Sequence, residues 1–419
     1  MQRDPAAALS RRAFSERSSA RFFHLVDAVA RAHEPTQTQL DSLASSYQST
    51  ADFLVASPEF GQLLVDVHGH GSRQLGTMVR PVDQSREGFD IDLIARLRRS
   101  ALQAYGEPNG PVRLLNDLFS VLQRYADRHD LGIHKWERCV TLQYSGGMSA
   151  DITVVIDDPL RSIPFGETHG RIPDRELRIY DPTNPQGYNR FFNAAAAVSP
   201  RFTTTLTADT MTKSMTRADV APLPNVQEVF ERLLCRLIQM LKLHRNTAFG
   251  FVESNPDAAP TSVFLTTLAA KAYTACAPIP HASPLELLLD IVESLPAYFE
   301  RYVQANGTEV WYLANPSSPR DNLAAGMNTP ARQAGFRWWH GRMVKQLSEI
   351  LEAIEQQSGL DKLVAAVSTA FGERSAHALQ SQQATQRSIA RQVGRVVLMP
   401  AAGAAMPVSA RQHTFFGVP

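Results

Sequence analysis

The most informative alternation of apolar and polar residues lies at positions 89–93, with the sequence FDIDL. In a β-strand, its three apolar side chains would face a core, and Asp90 and Asp92 would project together from the opposite face. Two carboxylates on one face repel each other, so one of them binds a proton or a cation lies between them. The pattern predicts a strand with an acidic face, and a hard divalent cation is the usual partner of such a face.

Periodicity and turn residues predict the remaining elements. In the first half of the chain they indicate helices at 14–32, 37–56 and 114–129, a strand or buried helix end at 61–69, a strand at 89–97, and a hairpin at 137–157 with its turn at 145–148. From about residue 222 the apolar spacing is helical throughout, with helices at 224–246, 262–274, 285–303, 335–356 and 376–393. The residues from 399 onward are rich in Ala, Gly and Pro and are expected to be extended or mobile.

Composition and charge narrow the class of protein. The chain of 419 residues is long enough for two lobes with cores of their own, and its 44% apolar residues are ordinary for a globular protein. A net charge of +1 provides no overall field that would hold a long nucleic acid. The three scattered cysteines predict neither a disulfide framework nor a zinc site. No apolar run reaches the roughly 18–20 residues of a membrane span, so we expect a soluble, cytoplasmic protein without a membrane partner.

A third aspartate extends the acidic site. Asp151 begins the second strand of the predicted hairpin and is the third carboxylate candidate. Two aspartates on one strand and a third on its neighbour suit two Mg²⁺ ions, or Mn²⁺ in their place, about 3.5–4 Å apart. One ion of such a pair activates an attacking hydroxyl, and the other neutralises a triphosphate and its leaving pyrophosphate. This is the chemistry of nucleotidyl transfer.

A Gly-Ser turn precedes the acidic strand. Gly71 allows the backbone to approach a ligand closely, and the amide and hydroxyl of Ser72 would point at an anion if Ser72 opens a helix. Each feature alone is weak evidence for a nucleotide site. Acidic strand faces are commonly solvated, and a single Gly-Ser pair is nearly uninformative. The joint order of turn, acidic strand and third aspartate is what predicts a nucleotide site. His68 and His70 have no further nitrogen or sulfur ligand nearby, so we expect them at the lip of the turn and not in a metal pair.

The segments GSRQLGT, FDIDLIARL and SADITVVID, in this order, resemble the polymerase-beta-like nucleotidyltransferase superfamily. The later segments RLIQMLKLHRN, PTSVFLTTLAAKAY and ANPSSPRDNLA make the chain similar to one family within it, the bacterial cGAS/DncV-like nucleotidyltransferases, over roughly residues 40 to 360. The resemblance implies an α+β fold in which a small mixed sheet faces a helical C-terminal lobe across a cleft. It also implies an enzyme that joins nucleoside triphosphates, ATP among them, into a cyclic di- or trinucleotide signal in anti-phage (CBASS) defence.

The resemblance also assigns roles to single residues. Gly71 and Ser72 correspond to the triphosphate-binding turn, and Asp90, Asp92 and Asp151 correspond to the magnesium triad. The expected organisation is N-terminal helices that pack on the core at 1–59, a catalytic core at 60–221, a helical lobe at 222–395 and an extended or mobile tail at 396–419.

Two residues of the helical half have weaker assignments. Lys242 corresponds to a lysine that contacts donor phosphates at the end of a long helix, and Ser262 corresponds to a phosphate-contacting serine that opens the next helix. From the residues alone, Lys242 is also explained as a surface lysine near a helix end, and Ser262 as a helix N-cap. The tryptophan that follows Asn-Leu-Ala in the family is absent, since residues 321–327 read DNLAAGM.

Alternative functions and a partner remain open at the level of sequence. A relative that adds nucleotides to RNA or to a protein hydroxyl would need a basic track for a polymer, which the net charge of +1 argues against. A non-catalytic nucleotide sensor would have degraded acidic positions, whereas all three are present. Phe415 and Phe416 near the C-terminus suggest that the tail docks, either on this chain or on a protein partner. The resemblance makes a partner plausible, because helper proteins of some related enzymes bind or modify the C-terminus of the enzyme.

Overall fold

The structure is a computed structural model of the chain. It describes residues 14–80, 89–106, 108–144, 147–203, 233–250, 256–392, 395–398 and 406–409. The turn of the predicted hairpin at 145–146, the beginning of the predicted helix at 224–246, and Phe415 and Phe416 lie outside these ranges. Predictions about those residues are therefore not addressed by the fold.

The elements are numbered here in chain order. The strands are β1 (Leu64–His70), β2 (Asp90–Leu97), β3 (Gly132–Lys135), β4 (Val140–Gln143), β5 (Ser149–Asp157), β6 (Gly170–Asp174), β7 (Ile179–Thr183), β8 (Glu300–Val303), β9 (Glu309–Tyr312), β10 (Arg395–Leu398) and β11 (Met406–Ser409). The α-helices are α1 (Glu16–Ala32), α2 (Gln37–Val55), α3 (Gly71–Gln74), α4 (Ala101–Ala104), α5 (Gly110–His129), α6 (Pro185–Ala196), α7 (Leu233–Gly250), α8 (Ser262–Cys276), α9 (Pro284–Ser294), α10 (Pro330–Glu355), α11 (Leu360–Phe371) and α12 (Glu373–Gln392).

Seven strands form one mixed sheet. Its order is β1-β2-β5-β4-β3, and β6 joins β5 to β7. Strands β2 and β5 run parallel, and the other pairs are antiparallel. The acidic strand and the hairpin of β4 and β5 are confirmed, as is the α+β class. Because β2 and β5 are neighbours, the acidic strand lies beside the strand that carries the third aspartate.

The apolar face of the sheet packs against α2 and α5. Ile91 and Leu93 of β2 and Ile152 of β5 are almost completely buried there. From α5, Leu118 and Leu122 pack against them, because residues four apart lie on one side of a helix. Truncating such a buried leucine to alanine costs roughly 2–5 kcal/mol. This core leaves the opposite face of the sheet for polar side chains.

A second hydrophobic cluster lies among the helices of the C-terminal half. Its centre includes Ile238 of α7, Leu268 of α8 and Trp339 of α10, each with no exposed surface. Helix α1 joins this cluster through residues such as Phe22, and the cluster also includes Leu75 and Phe192 from the predicted catalytic core. Helix α2, in contrast, packs on the apolar face of the sheet through Leu54. The apolar side chains on one side of α1 are buried against the helices of the C-terminal half.

A buried ion cluster strengthens the contact between α1 and α7. The guanidinium of Arg236, only 4% exposed, lies 3.1 Å from Asp27 Oδ1 and 2.5 Å from Glu34 Oε1. Gln239 Nε2 donates a hydrogen bond to the same oxygen of Glu34. Although burial opposes ionisation, the neighbouring Arg236 lowers the pKa of the Glu34 carboxyl. Pairing of this kind is what allows a charged side chain to lie inside a helical lobe.

The structure corrects several predicted boundaries. The predicted helix at 285–303 ends at Ser294, and its last four residues form strand β8, paired with β9. Pro296 lacks the amide hydrogen that would continue the helix. Lys242 is in the middle of α7 and not at its end, because the helix continues to Gly250. Strands β6 and β7 and helices α6 and α11 were not predicted.

The described residues of the C-terminal segment are extended. Strand β10 pairs antiparallel with β11, with Val396 opposite Val408. No helix in the described part of the chain is both long and apolar enough to cross a membrane. All three cysteines are free thiols.

Candidate active site

A row of side chains crosses the polar face of the sheet. The strand register pairs His70 with Asp92, Asp92 with Asp151, Asp151 with Thr141, and Thr141 with His134. Residues paired in register across strands project to the same face. The sheet therefore brings two of the predicted carboxylates directly opposite each other, at the middle of a row that extends over five strands.

Burial and neighbouring negative charge disfavour the ionisation of Asp92 and Asp151. Burial, together with the nearby negative charges of Asp151 and Asp90, raises the pKa of Asp92 to about 6. Burial also raises the pKa of Asp151, even though Thr141 Oγ1 donates a hydrogen bond of 2.5 Å to its Oδ1. Asp90 is exposed and accepts a hydrogen bond from the hydroxyl of Ser149. A bound cation would relieve this repulsion.

The residues present fit divalent metal ions that arrive with a nucleotide. In the ranges that the structure describes, no three acidic, histidine or cysteine side chains converge into a ready-made metal site. Asp92 and Asp151 face each other in register, whereas Asp90 is engaged with Ser149. Carboxylate oxygens suit Mg²⁺, which is usually held by one or two carboxylates together with substrate phosphates. Asp90, Asp92 and Asp151 remain the predicted ligands.

The Gly-Ser turn lies against the carboxylate of Asp92. Gly71 has a positive φ of 66° and is the first residue of α3, directly after β1. A Cβ at this position would lie 1.7 Å from Asp92 Oδ2, so no other residue fits without a shift. Thr77 N donates to Ser72 O, which closes the turn. Gly71, Ser72 and Asp92 are thus brought together as the sequence predicts, although phosphate binding by the turn stays a prediction.

Lys242 is buried behind this turn. Its side chain is on the central helix α7 and is 5% exposed, and Nζ donates hydrogen bonds to Thr77 O at 3.2 Å and to Thr77 Oγ1 at 3.1 Å. Burial and, to a smaller extent, the charge of Arg245 lower the pKa of Lys242 to about 8, while Asp92 opposes the shift. The lysine is therefore still charged at pH 7. It is not a surface lysine, and it supplies positive charge beneath the turn.

We expect Lys242→Met to weaken binding of a nucleoside triphosphate about tenfold or more, because the cation beneath the turn is lost. The measurement is the rise in melting temperature caused by a nucleoside triphosphate with Mg²⁺, compared with the wild type. Lys271→Met is the matched control, since Lys271 is a partly buried lysine on α8 that is not at this site. Equal nucleotide stabilisation in both variants would contradict a role for Lys242.

Ser262 contacts Arg245, which is three residues after Lys242 on α7. Arg245 Nη1 donates to Ser262 Oγ at 2.9 Å, and burial lowers the pKa of Arg245 to about 10. Ser262 is the first residue of α8 and is exposed, while Thr261 occupies the N-cap position. The alternative explanation of Ser262 as the N-cap is therefore wrong. Its contact with phosphate stays a prediction.

Sequence reasoning missed several residues of this region. Thr141 lies in the first strand of the predicted hairpin, but its pairing with Asp151 depends on the exact register, which a turn at 145–148 would shift by one residue. Arg245 and Thr77 carry no local signal, because their roles depend on how α7 packs against the turn. His70 is at the lip of the turn as predicted, and burial lowers its pKa to about 4, so its imidazole is neutral. His68 Nδ1 lies 2.7 Å from Asp66 Oδ1.

Comparisons with known proteins agree with this geometry. No protein-family model matches the chain. A c-di-GMP synthase of Roseivirga ehrenbergii is 26% identical over 297 residues, which cover 71% of this chain and 70% of that protein. The cyclic dinucleotide synthase CdnG of Bradyrhizobium diazoefficiens is 25% identical over 357 residues, which cover 78% of each.

The fold is shared with a solved structure of the same class. The structure of Bradyrhizobium diazoefficiens CdnG in complex with GTP is similar with a TM-score of 0.59 and 18% identity, covering 86% of this chain and 97% of that one. The two relatives in sequence, this shared fold and the joint position of turn and aspartates point to one family. In sequence and in fold, the chain is similar to the bacterial cGAS/DncV-like nucleotidyltransferases.

Proposed function

We propose that this protein joins nucleoside triphosphates into a cyclic dinucleotide and releases pyrophosphate with each bond. The observation that carries the proposal is the placement of Asp92 opposite Asp151, with the Gly71 turn against the Asp92 carboxylate. A triphosphate held at the turn would have its α-phosphorus near both carboxylates. The names of the two sequence relatives, which are both cyclic dinucleotide synthases, support this reading.

Each bond requires the same steps. A hydroxyl of one nucleotide attacks the α-phosphorus of the other, its proton leaves, and pyrophosphate departs from the opposite side of the phosphorus. Mg²⁺ ions held by Asp90, Asp92 and Asp151 would activate the hydroxyl and neutralise the triphosphate. The turn at Gly71 and Ser72, with Lys242 behind it, would orient the triphosphate. The linear product then binds again, and its free hydroxyl closes the ring.

GTP is the substrate that we propose first. One relative is named for c-di-GMP, and the solved structure of CdnG contains GTP. The sequence resemblance implies ATP among the substrates, so both nucleotides belong in the same assay. A cyclic trinucleotide remains the alternative product. We further propose that the product is a second messenger in anti-phage (CBASS) defence, as the resemblance implies.

The direct test is incubation of the pure protein with the four radiolabelled nucleoside triphosphates and Mg²⁺, with Mn²⁺ in parallel. Digestion of the products with linkage-specific nucleases then identifies the bases, the linkage and the ring size. We expect a phosphatase-resistant cyclic product that contains guanosine. Addition of label to RNA or to protein instead would favour the polymer-modifying alternative, and nucleotide binding without any transfer would favour a sensor.

We also propose that the C-terminal end contacts a protein partner. We expect that ending the chain after Ser409 leaves synthesis by the purified enzyme near the wild-type rate, because the paired strands β10 and β11 are retained. The same truncation should weaken phage protection at least tenfold in cells that carry the neighbouring genes, since Phe415 and Phe416 are lost. The measurements are product formation and plaque counts. Loss of synthesis by the isolated truncated enzyme would show instead that these two residues are structural.

A further inference from the structure

A tryptophan is exposed at the edge of the catalytic sheet. Trp136 directly follows β3, and 46% of its surface is accessible to solvent. Trp311 and Trp339, in contrast, are completely buried in the helical lobe. An indole has a large apolar area, and exposed aromatic rings beside a binding site commonly contact a ligand. The position of Trp136 relative to the aspartates decides what that ligand is.

Trp136 is two hydrogen bonds from a predicted metal ligand. Its Nε1 donates to Thr141 Oγ1 at 2.8 Å, and Thr141 Oγ1 donates to Asp151 Oδ1 at 2.5 Å. The indole therefore lies next to Asp151, on the polar face of the sheet. His134 is paired in register with Thr141, and its ring centroid lies 4.0 Å from that of Trp136. His134 and Trp136 together form an exposed aromatic surface, which we call the Trp136 platform.

The platform is held in place by the neighbouring hairpin of β6 and β7. Arg175, in the turn of that hairpin, donates from Nε to Trp136 O at 2.7 Å and from its backbone amide to Glu137 O at 3.0 Å. Arg138 Nε donates to Asp174 Oδ2 at 2.9 Å. Trp136 N also donates to Cys139 O within the turn between β3 and β4. Several bonds thus fix the backbone beneath an aromatic ring that remains accessible, which is the arrangement of a preorganised binding surface.

We infer that the Trp136 platform stacks the base of the nucleotide whose hydroxyl attacks. This inference rests on the proposed function. The Gly71 turn lies on the Asp92 side of the row, and it would hold the triphosphate that is attacked. The platform lies at the other end of the row, beyond Asp151. The attacking nucleotide arrives from that side, with its ribose hydroxyl near Asp151 and its base over the indole. Aromatic stacking accepts any base, so the platform positions the nucleotide without choosing its identity.

Kinetics of three variants separate stacking from structural support. We expect Trp136→Ala to lower kcat/KM for cyclic product formation tenfold or more, chiefly through a higher KM. Trp136→Phe retains a stacking ring but lacks the indole N–H, so its KM should stay within about threefold of the wild-type value. Trp338→Phe is the matched control, because Trp338 is also 46% exposed but lies on α10, and it should behave as the wild type.

Two results of this experiment would overturn the inference. One is a KM of Trp136→Ala within twofold of the wild-type KM. The other is an equal loss of kcat in Trp136→Ala and Trp136→Phe without a change in KM, which would mean that Trp136 acts only by donating to Thr141. Melting temperatures of the variants identify any general loss of folding.

A fluorescence titration tests the platform independently of turnover. Stacking of a base on an exposed indole quenches its fluorescence, so an α,β-methylene analogue of GTP with Mg²⁺ should quench the wild type and Trp338→Phe. It should quench Trp136→Phe by less than half as much. If the wild type makes no product but shows quenching that depends on Trp136, the proposed function fails while the platform stands as a base-binding site. If product forms and no quenching depends on Trp136, only the platform is refuted.

Discussion

Replacement of Asp92 by Asn is expected to lower cyclic product formation at least a thousandfold while the protein stays folded. The change removes a predicted metal ligand on the polar face and leaves the apolar residues Ile91 and Leu93 in the core. A loss of this size corresponds to about 4 kcal/mol of transition-state stabilisation, which a bound metal ion can supply. The measurement is product formation from radiolabelled GTP with Mg²⁺, with Asp90→Asn tested in parallel.

The stability of the same variant provides a second measurement. The pKa of Asp92 is raised to about 6 in the folded protein, so its ionisation opposes folding. In the unfolded chain the carboxyl ionises near its ordinary pKa of about 4, so this penalty develops between about pH 4 and pH 6 and is complete above pH 6. Metal-free Asp92→Asn should therefore be more stable than the wild type at pH 8, by roughly 1–2 kcal/mol after allowance for partial solvent exposure. The difference should disappear near pH 4.

Asp52→Asn is the control for the loss of one negative charge, because Asp52 is exposed on α2 and not at the sheet. It should change neither turnover nor stability by a measurable amount. Turnover of Asp92→Asn within tenfold of the wild type would refute the catalytic assignment of Asp92. Equal stability of Asp92→Asn and the wild type at pH 8 would show that the carboxylates do not repel each other in the metal-free protein.

Gly71→Ala is expected to reduce turnover at least a hundredfold. The new methyl group would meet Asp92 Oδ2 at 1.7 Å, and the φ of 66° is unfavourable for alanine by about 1 kcal/mol or more. To remove the clash, either the turn or the carboxylate has to move, and both are needed in the site. The stabilisation of the protein by GTP and Mg²⁺ should be lost together with turnover, as measured by thermal unfolding.

The control for Gly71→Ala is Gly341→Ala. Gly341 lies within α10, and a Cβ at that position meets no atom within 4 Å. Alanine in a helix is favoured over glycine, so this variant should be slightly stabilised and fully active. A Gly71→Ala enzyme as active as Gly341→Ala would show that the turn is not required to lie against Asp92.

The sequence was sufficient for the acidic strand and its immediate surroundings. The period of two at 89–93 determined which side chains of β2 enter the core, since a strand with one apolar face has one stable orientation. The hairpin of β4 and β5 followed from local turn residues, and the order of Gly71, Asp90, Asp92 and Asp151 indicated the superfamily. Local patterns determine such features because the residues involved are close in sequence.

The weaker predictions failed where the partner is distant in sequence. The apolar stripe of α1 predicts a helix but not the surface that it covers, and the pairing of Asp27 with Arg236 spans most of the N-terminal half of the chain. Strands β8 and β9 interrupt a half that looked helical throughout, because Pro296 ends the helical hydrogen bonding and the following residues pair with each other. The sequence alone did not reveal either outcome.

The tertiary structure alone decided how the site is assembled. The parallel pairing of β2 with β5 places Asp92 opposite Asp151 across 59 residues of sequence, and helix packing brings Lys242 beneath the turn at Thr77. The exposure of Trp136 beside Thr141 depends on the sheet register and on Arg175 in a later hairpin. The sequence by itself determined the acidic strand, the turn and the family resemblance, because these depend on local alternation and order. Burial, pKa values and the arrangement of charges around Asp92 depend on long-range packing, which no local pattern encodes.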